Sequence, residues 1–135
     1  METILVAAGL ITEGGKILVT QRREDTHQGL LWEFPGGKVM EDEEPRQALK
    51  RELREELGVE AEVGTMFEAV FHTYPEFSVL LLVYRCRIQN GVPQPLACRA
   101  LRWVDLSELE QLPMPPADTP IRRSLFFSRK ESLSP

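Results

Sequence analysis

GGKVMEDEEPRQALKRELREELGVE, Gly36 to Glu60, is the stretch whose reading decides the fold. It divides into a glycine-led loop and a helix. Pro45 suits a first helical turn, where its missing N–H removes no hydrogen bond and its fixed φ is already helical. Glu43 and Glu44 bring negative charge to the positive end of the helix dipole, and Gly58 stands where a left-handed residue ends a helix. A helix is therefore expected from about Glu44 to Leu57. At roughly 100° per residue, Leu49, Leu53 and Leu57 share one apolar stripe. Glu52, Glu55 and Glu56 border that packed face, while Gln47 and Arg54 lie opposite.

A charge-rich helix ordinarily alternates signs at contact spacing, as Arg51 does with Glu55. Glu52 breaks that rule with both Glu55 and Glu56, each like-charged pair repelling by about 0.2–0.5 kcal/mol. Converging carboxylates need a cation. Oxygen donors at i, i+3 and i+4, with no Cys or His cluster nearby, favour a hard divalent ion such as Mg²⁺, with Mn²⁺ the alternative, that keeps waters and accepts phosphate oxygens.

These residues carry a family resemblance. Gly37, Glu43, Arg51-Glu52-Leu53, Glu55-Glu56 and Gly58-Val59 match every specified position of the Nudix box. The flanks resemble its MutT-like, CTP pyrophosphohydrolase-like branch: Trp32-Glu33-Phe34-Pro35-Gly36-Gly37-Lys38 is similar to the approach to the box, and Pro115-Pro116-Ala117-Asp118 to a Pro-Ala-Asn or Pro-Ala-Asp segment. The resemblance implies a single α/β domain over residues 1–127, an α/β/α sandwich around a mixed sheet, with 128–135 a frayed tail.

It also implies a Mg²⁺-dependent hydrolase that converts a nucleoside triphosphate into monophosphate and pyrophosphate. Oxidised or non-standard nucleotides are the expected substrates, with 8-oxo-dGTP and cytidine nucleotides such as CTP or dCTP leading. Carried onto this chain, Glu52, Glu55, Glu56 and the Gly36 carbonyl resemble the metal ligands. Glu52 is the candidate to orient or deprotonate the attacking water, Arg51 to orient a carboxylate, and Glu43 to support the ligands or a further metal. Arg22, better aligned than Arg23, is the candidate for the triphosphate, and Lys38 for phosphate charge. Two alternatives stand beside this reading: the same chemistry on dinucleoside polyphosphates or nucleotide sugars such as ADP-ribose, and a non-catalytic Nudix-like module that binds an oxidised base. The full set of box carboxylates favours the enzyme.

Base recognition is read from fewer residues. Phe34 and Phe77 are candidates to stack on a base, an interaction that contributes about 1–3 kcal/mol with little discrimination among bases. Asp118 stands where the resemblance expects a base reader. Ionised, it only accepts hydrogen bonds and suits an exocyclic amino group; the competing role is to cap the helix that follows. One departure from the branch is plain: Leu96-Ala97-Cys98-Arg99, ahead of Trp103, contains no carboxylate, which leaves the helix glutamates carrying more of the catalysis.

Composition agrees with these expectations without producing them. A chain of 135 residues with 42% apolar residues can enclose one core. Its net charge of −5 argues against a footprint for duplex nucleic acid, and an anionic substrate would need a bridging metal to approach an acidic site. Cys86 and Cys98 lack metal-ligand spacing and read as packing residues. No signal-peptide pattern opens the chain, and no apolar run approaches the roughly 20 residues that span a bilayer. A cytoplasmic monomer or homodimer with a nucleotide as its small-molecule partner is expected.

Outside the box, Ile4–Ile11, the Gly14-Gly15 turn and Lys16–Gln21 read as a hairpin, and Thr26–Leu30 as a loop. Trp32-Glu33-Phe34 reads as a short strand and Pro35-Gly36-Gly37 as a turn. Residues 61–73 and 77–88 are strand-rich, 99–104 is a further strand, 106–109 a short turn or helix, and 117–129 a second helix with Pro120 in its first turn. His27 reads as an exposed loop histidine, and His72 has no evident partner.

Overall fold

The computed structural model describes residues 1–132 and, for side chains, residues 1–127. The elements run β1 (Thr3–Glu13), β2 (Lys16–Gln21), β3 (Trp32–Glu33), β4 (Gly36–Lys38), α1 (Pro45–Leu57), β5 (Glu60–Thr73), β6 (Ser78–Asn90), β7 (Ala100–Val104), α2 (Leu106–Gln111) and α3 (Thr119–Ser132). The strands form one mixed sheet in the order β3-β2-β1-β6-β5, with β4 added on β1 and β7 on β2. β1 and β6 are parallel, from Thr3 opposite Ser78 to Ile11 opposite Cys86, and the other pairs are antiparallel.

Strand alternation sends residues to two cores. From β1, Ala7 and Ile11 join Leu49, Leu53 and Leu57 of α1 on one face. Ala8 and Leu10 join Leu109, Ile121 and Leu125 of α2 and α3 on the other. The sheet is thus sandwiched between helices, as expected. All three α1 leucines are fully excluded from water, each burial worth about 1.5–3 kcal/mol. The ends of α1 follow the sequence signals: Glu44 accepts from Arg46 N–H in a capping box with Gln47, and Gly58 closes the helix with φ 71°.

Two differences from the sequence reading matter. Gly36 and Gly37 form strand β4 rather than a turn, because β1 passes so close that a Cβ at Gly36 would collide with the Ala7 carbonyl. The last helix continues to Ser132, inside the stretch expected as a tail, and 133–135 lie outside the described residues. No helix among the described residues is long and apolar enough to cross a membrane.

Candidate active site

β4 and α1 meet at Gly37. A Cβ there would occupy the space of the Glu52 carboxyl group, so this glycine lets the strand and the carboxylate touch. Arg51 organises the same corner. Its Nε and Nη2 form a fork on Glu43 at 2.6 and 3.0 Å, and Nη1 donates to Glu52 at 2.9 Å and Glu55 at 3.2 Å. Nη2 also donates to the Lys38 carbonyl at 3.1 Å, tying α1 to the end of β4. The Arg51 bonds, with help from the Met40 N–H, hold Glu43 down to about 2. Arg51 itself is raised, first by its bond to Glu43.

Glu56 is the exception on this helix. Its carboxyl turns inward, and burial pushes it up to about 8, with the neighbouring Glu33 and Glu52 carboxylates adding to the rise. Burial and two acidic neighbours thus oppose its ionisation, and Arg51, bonded to Glu43, Glu52 and Glu55, supplies it no partner. Among the described residues, no three of His, Cys, Asp and Glu lie close enough together to enclose a metal ion as they stand. The chemistry of the donors fits a hard divalent cation all the same. The donors are all oxygen, they are crowded with like charge at Glu56, and the Gly37 cradle brings the Glu52 carboxyl against β4.

A cavity of about 400 Å³ opens on the other side of β4. Arg22, Phe34, Gly36, Lys38, Phe77 and Asp118, all expected from the sequence, line it together, with Ile4, Val6, Val79 and Leu81 as an apolar wall. Glu52, Glu55 and Glu56 are not part of its lining. Phe34 is nearly buried and Phe77 half-buried, so both ring assignments combine core and pocket roles. Lys38 is exposed at the rim. Arg22 is already engaged: Nε donates to the His27 carbonyl at 2.7 Å and Nη1 to Glu33 at 2.9 Å.

Asp118 is 7% exposed. Burial raises its carboxyl well above the ordinary range, and the Glu33 carboxylate adds to that, against the Phe34 N–H that bonds it. Burial therefore favours the protonated form of Asp118 more than in an exposed aspartate. Its side chain reaches toward Phe34, while its backbone carbonyl accepts from Ile121 and Arg122 at the start of α3.

Two pocket residues escaped sequence reasoning. Glu33 is raised by burial against the opposing pull of Arg22, and its field reaches both Glu56 and Asp118. A lone acid between Trp32 and Phe34 was its available signal. Tyr74 had none, lying in an ordinary Tyr-Pro-Glu turn. Its ring packs against His27, Phe77 and His72, which gives His72 the partner it lacked in sequence and sets His27 at the pocket mouth.

The NUDIX domain family matches residues 6–124. The CTP pyrophosphohydrolase of Escherichia coli K12 is 42% identical over 129 residues, covering 96% of each chain. The 8-oxo-dGTP diphosphatase of the same organism is 32% identical over 122 residues, covering 90% of this chain and 95% of that one. Among solved structures, the solution structure of the E. coli ORF135 protein superposes with a TM-score of 0.84 at 38% identity, covering 100% of this chain and 96% of that one. A MutT NUDIX hydrolase from Burkholderia pseudomallei gives 0.83 at 27% identity, covering 92% and 98%.

Proposed function

This chain belongs to the Nudix family of hydrolases, and we propose that within it the chain is a Mg²⁺-dependent pyrophosphohydrolase of nucleoside triphosphates whose base carries an amino group, CTP and dCTP foremost. The observation that carries this reading is adjacency. A base-sized pocket lined by the acids Glu33 and Asp118 shares β4 with the carboxylate-bearing face of α1. In the pocket, the Asp118 carboxyl offers oxygen acceptors to an exocyclic amino group such as that of cytosine. Phe77 offers a ring face to the base. The names of the two E. coli relatives, a CTP pyrophosphohydrolase and an 8-oxo-dGTP diphosphatase, support the same substrate class.

Divalent-cation chemistry belongs to this family. Glu52, Glu55, Glu56 and the Gly36 carbonyl are the groups that would hold the ion. When bound, it supplies charge neutralisation at the phosphoryl oxygens and a more acidic water. The chain's own residues do the rest. Arg51 fixes Glu52 and Glu55 through one guanidinium, and Glu52, held against Gly37, is our candidate to take the proton of the attacking water. Arg22 and Lys38 bring positive charge to the pocket rim, where a triphosphate leaving the base site toward α1 would pass. Buried free thiols suit a cytoplasmic setting.

The test is a nucleotide panel with Mg²⁺, containing CTP, dCTP, UTP, 8-oxo-dGTP, ADP-ribose and a dinucleoside polyphosphate, with pyrophosphate separated from orthophosphate. Cytidine triphosphates are expected to give monophosphate and pyrophosphate at the highest kcat/KM. Activity should vanish with chelator and return with Mg²⁺. Preferential turnover of ADP-ribose, or release of orthophosphate alone, would overturn the reading.

A further inference from the structure

Tyr74 touches three separate walls of the pocket. Its N–H donates to the Phe77 carbonyl at 2.8 Å, closing the turn between β5 and β6 that presents the Phe77 ring. Its ring, 8% exposed, lies 5.4 Å from Phe77 and 5.7 Å from His27 between centroids. At the far end its hydroxyl accepts the Ala117 N–H at 3.3 Å, one residue before Asp118.

The segment that carries Asp118 needs such an anchor. Pro115 to Asp118 belongs to no strand or helix, and its own internal bond, Asp118 N–H to the Pro115 carbonyl at 2.9 Å, fixes its shape but not its distance from the β5–β6 turn. A tyrosine transmits position well, since a rigid ring with two side-chain torsions spans a gap at low entropic cost. Burial raises the Tyr74 phenol above its ordinary value, so the group stays protonated and keeps a proton to donate as it accepts from Ala117. Removing the hydroxyl leaves a buried N–H without an acceptor, and the segment must shift to find one.

We propose that Tyr74 is the positioning residue that sets base selectivity here, by fixing the separation between the stacking ring of Phe77 and the edge-reading carboxyl of Asp118. This rests on the reading of the cavity as the base site. A base held between a face and an edge reader tolerates displacement of only about 0.5 Å before the edge contacts weaken. Tyr74 acts on selectivity through Phe77 and Asp118, without contacting the reacting phosphorus.

Tyr74→Phe tests this, since it keeps the ring and deletes the hydroxyl. The readouts are kcat/KM for CTP and UTP, which differ only in the base, and amide exchange of Ala117 in the ligand-free protein. The CTP-to-UTP ratio is expected to fall about tenfold, mostly through KM for CTP, and the Ala117 amide to exchange about tenfold faster while α1 amides keep their protection. Equal losses on both nucleotides, with the ratio intact, would make Tyr74 merely structural and overturn the proposal. A wild-type enzyme with no base preference overturns the base-site reading and this proposal together. A preference that Tyr74→Phe leaves within about twofold overturns the role of Tyr74 alone.

Discussion

Two acidic regions face each other across β4, and they handle charge in opposite ways. Around Arg51, the carboxylates of Glu43, Glu52 and Glu55 share one guanidinium, and Glu43 is held down to about 2. Around the pocket, Asp118 is buried and Glu33 half-buried, and both are raised even though Arg22 bonds Glu33. The first region places its acids on one cation, and that holds Glu43 in its charged form, the form that binds a cation. The second opposes the ionisation of Asp118, because burial penalises its charge. Glu56 lies between them: it belongs to the helix of the first region and has the raised carboxyl of the second.

The sharpest way to break this contrast is at Glu56. If it serves the cation, Glu56→Gln should lower kcat by about 10³-fold or more. The same change removes a carboxylate crowded by Glu33 and Glu52, so Tm at pH 7 should be equal to wild type or higher. A variant with near-wild-type turnover would detach Glu56 from catalysis, and a lower Tm would show that its charge is compensated after all. Glu55→Gln, exposed and bonded only to Arg51 among the contacts described, should lose turnover by a similar factor with little change in Tm.

Arg51 comes next. Arg51→Lys keeps the charge and loses the fork that joins Glu43, Glu52, Glu55 and the Lys38 carbonyl, so activity should fall about 10–100-fold with a higher Mg²⁺ requirement. Titrating Mg²⁺ against rate separates the two effects. An unchanged Mg²⁺ dependence would mean that the carboxylates hold their places without it.

On the pocket side the effects should be smaller and depend on the base. Asp118→Asn keeps the shape and a carbonyl acceptor and should keep the CTP-to-UTP preference within about threefold at neutral pH, whereas Asp118→Ala should reduce it about 10–100-fold. The stability difference between Asp118→Asn and wild type carries the sign of the raised carboxyl. A raised group contributes fully at low pH, and that contribution is lost as pH rises through its folded value, so the variant should gain on wild type as pH increases. A gap constant from pH 5 to 8 would mean that Asp118 does not change charge differently on folding.

The two regions were also unequally legible. Gly37 to Val59 is continuous, its periodicity and caps are local, and the helix, its apolar stripe and its misplaced like charges follow from spacing alone. The pocket is assembled by the β1–β6 pairing and by the fold of the chain over it, which bring Ile4, Glu33, Tyr74 and Asp118 together from remote stretches. No local signal announces such a meeting. Asp118 and Phe77 read in sequence as residue types suited to a base, but the raised carboxyl of Asp118 depends on burial that only the folded chain provides. Gly36-Gly37 misled for a related reason. Glycine marks turns in sequence, and here it marks the close approach of β1 and of the Glu52 carboxyl.

The contrast also rests on separating burial from charge, and Cys86 allows that. Its thiol is 6% exposed in the α1-side core and is pushed up to about 12 by burial alone, with no charged neighbour contributing. The unfolded chain ionises this thiol near its ordinary value of 9, and the folded chain resists until about 12. The stabilisation is therefore complete below pH 9 and lost as pH rises through that window, with a slope of about 1.4 kcal/mol per pH unit. Cys86→Ala removes this slope, whatever constant packing cost it adds. Denaturant unfolding of both proteins between pH 9 and 11 should give curves that converge by that slope. Parallel curves would mean that burial alone shifts little in this core, and the rise at Asp118 would then belong mainly to the charge of Glu33.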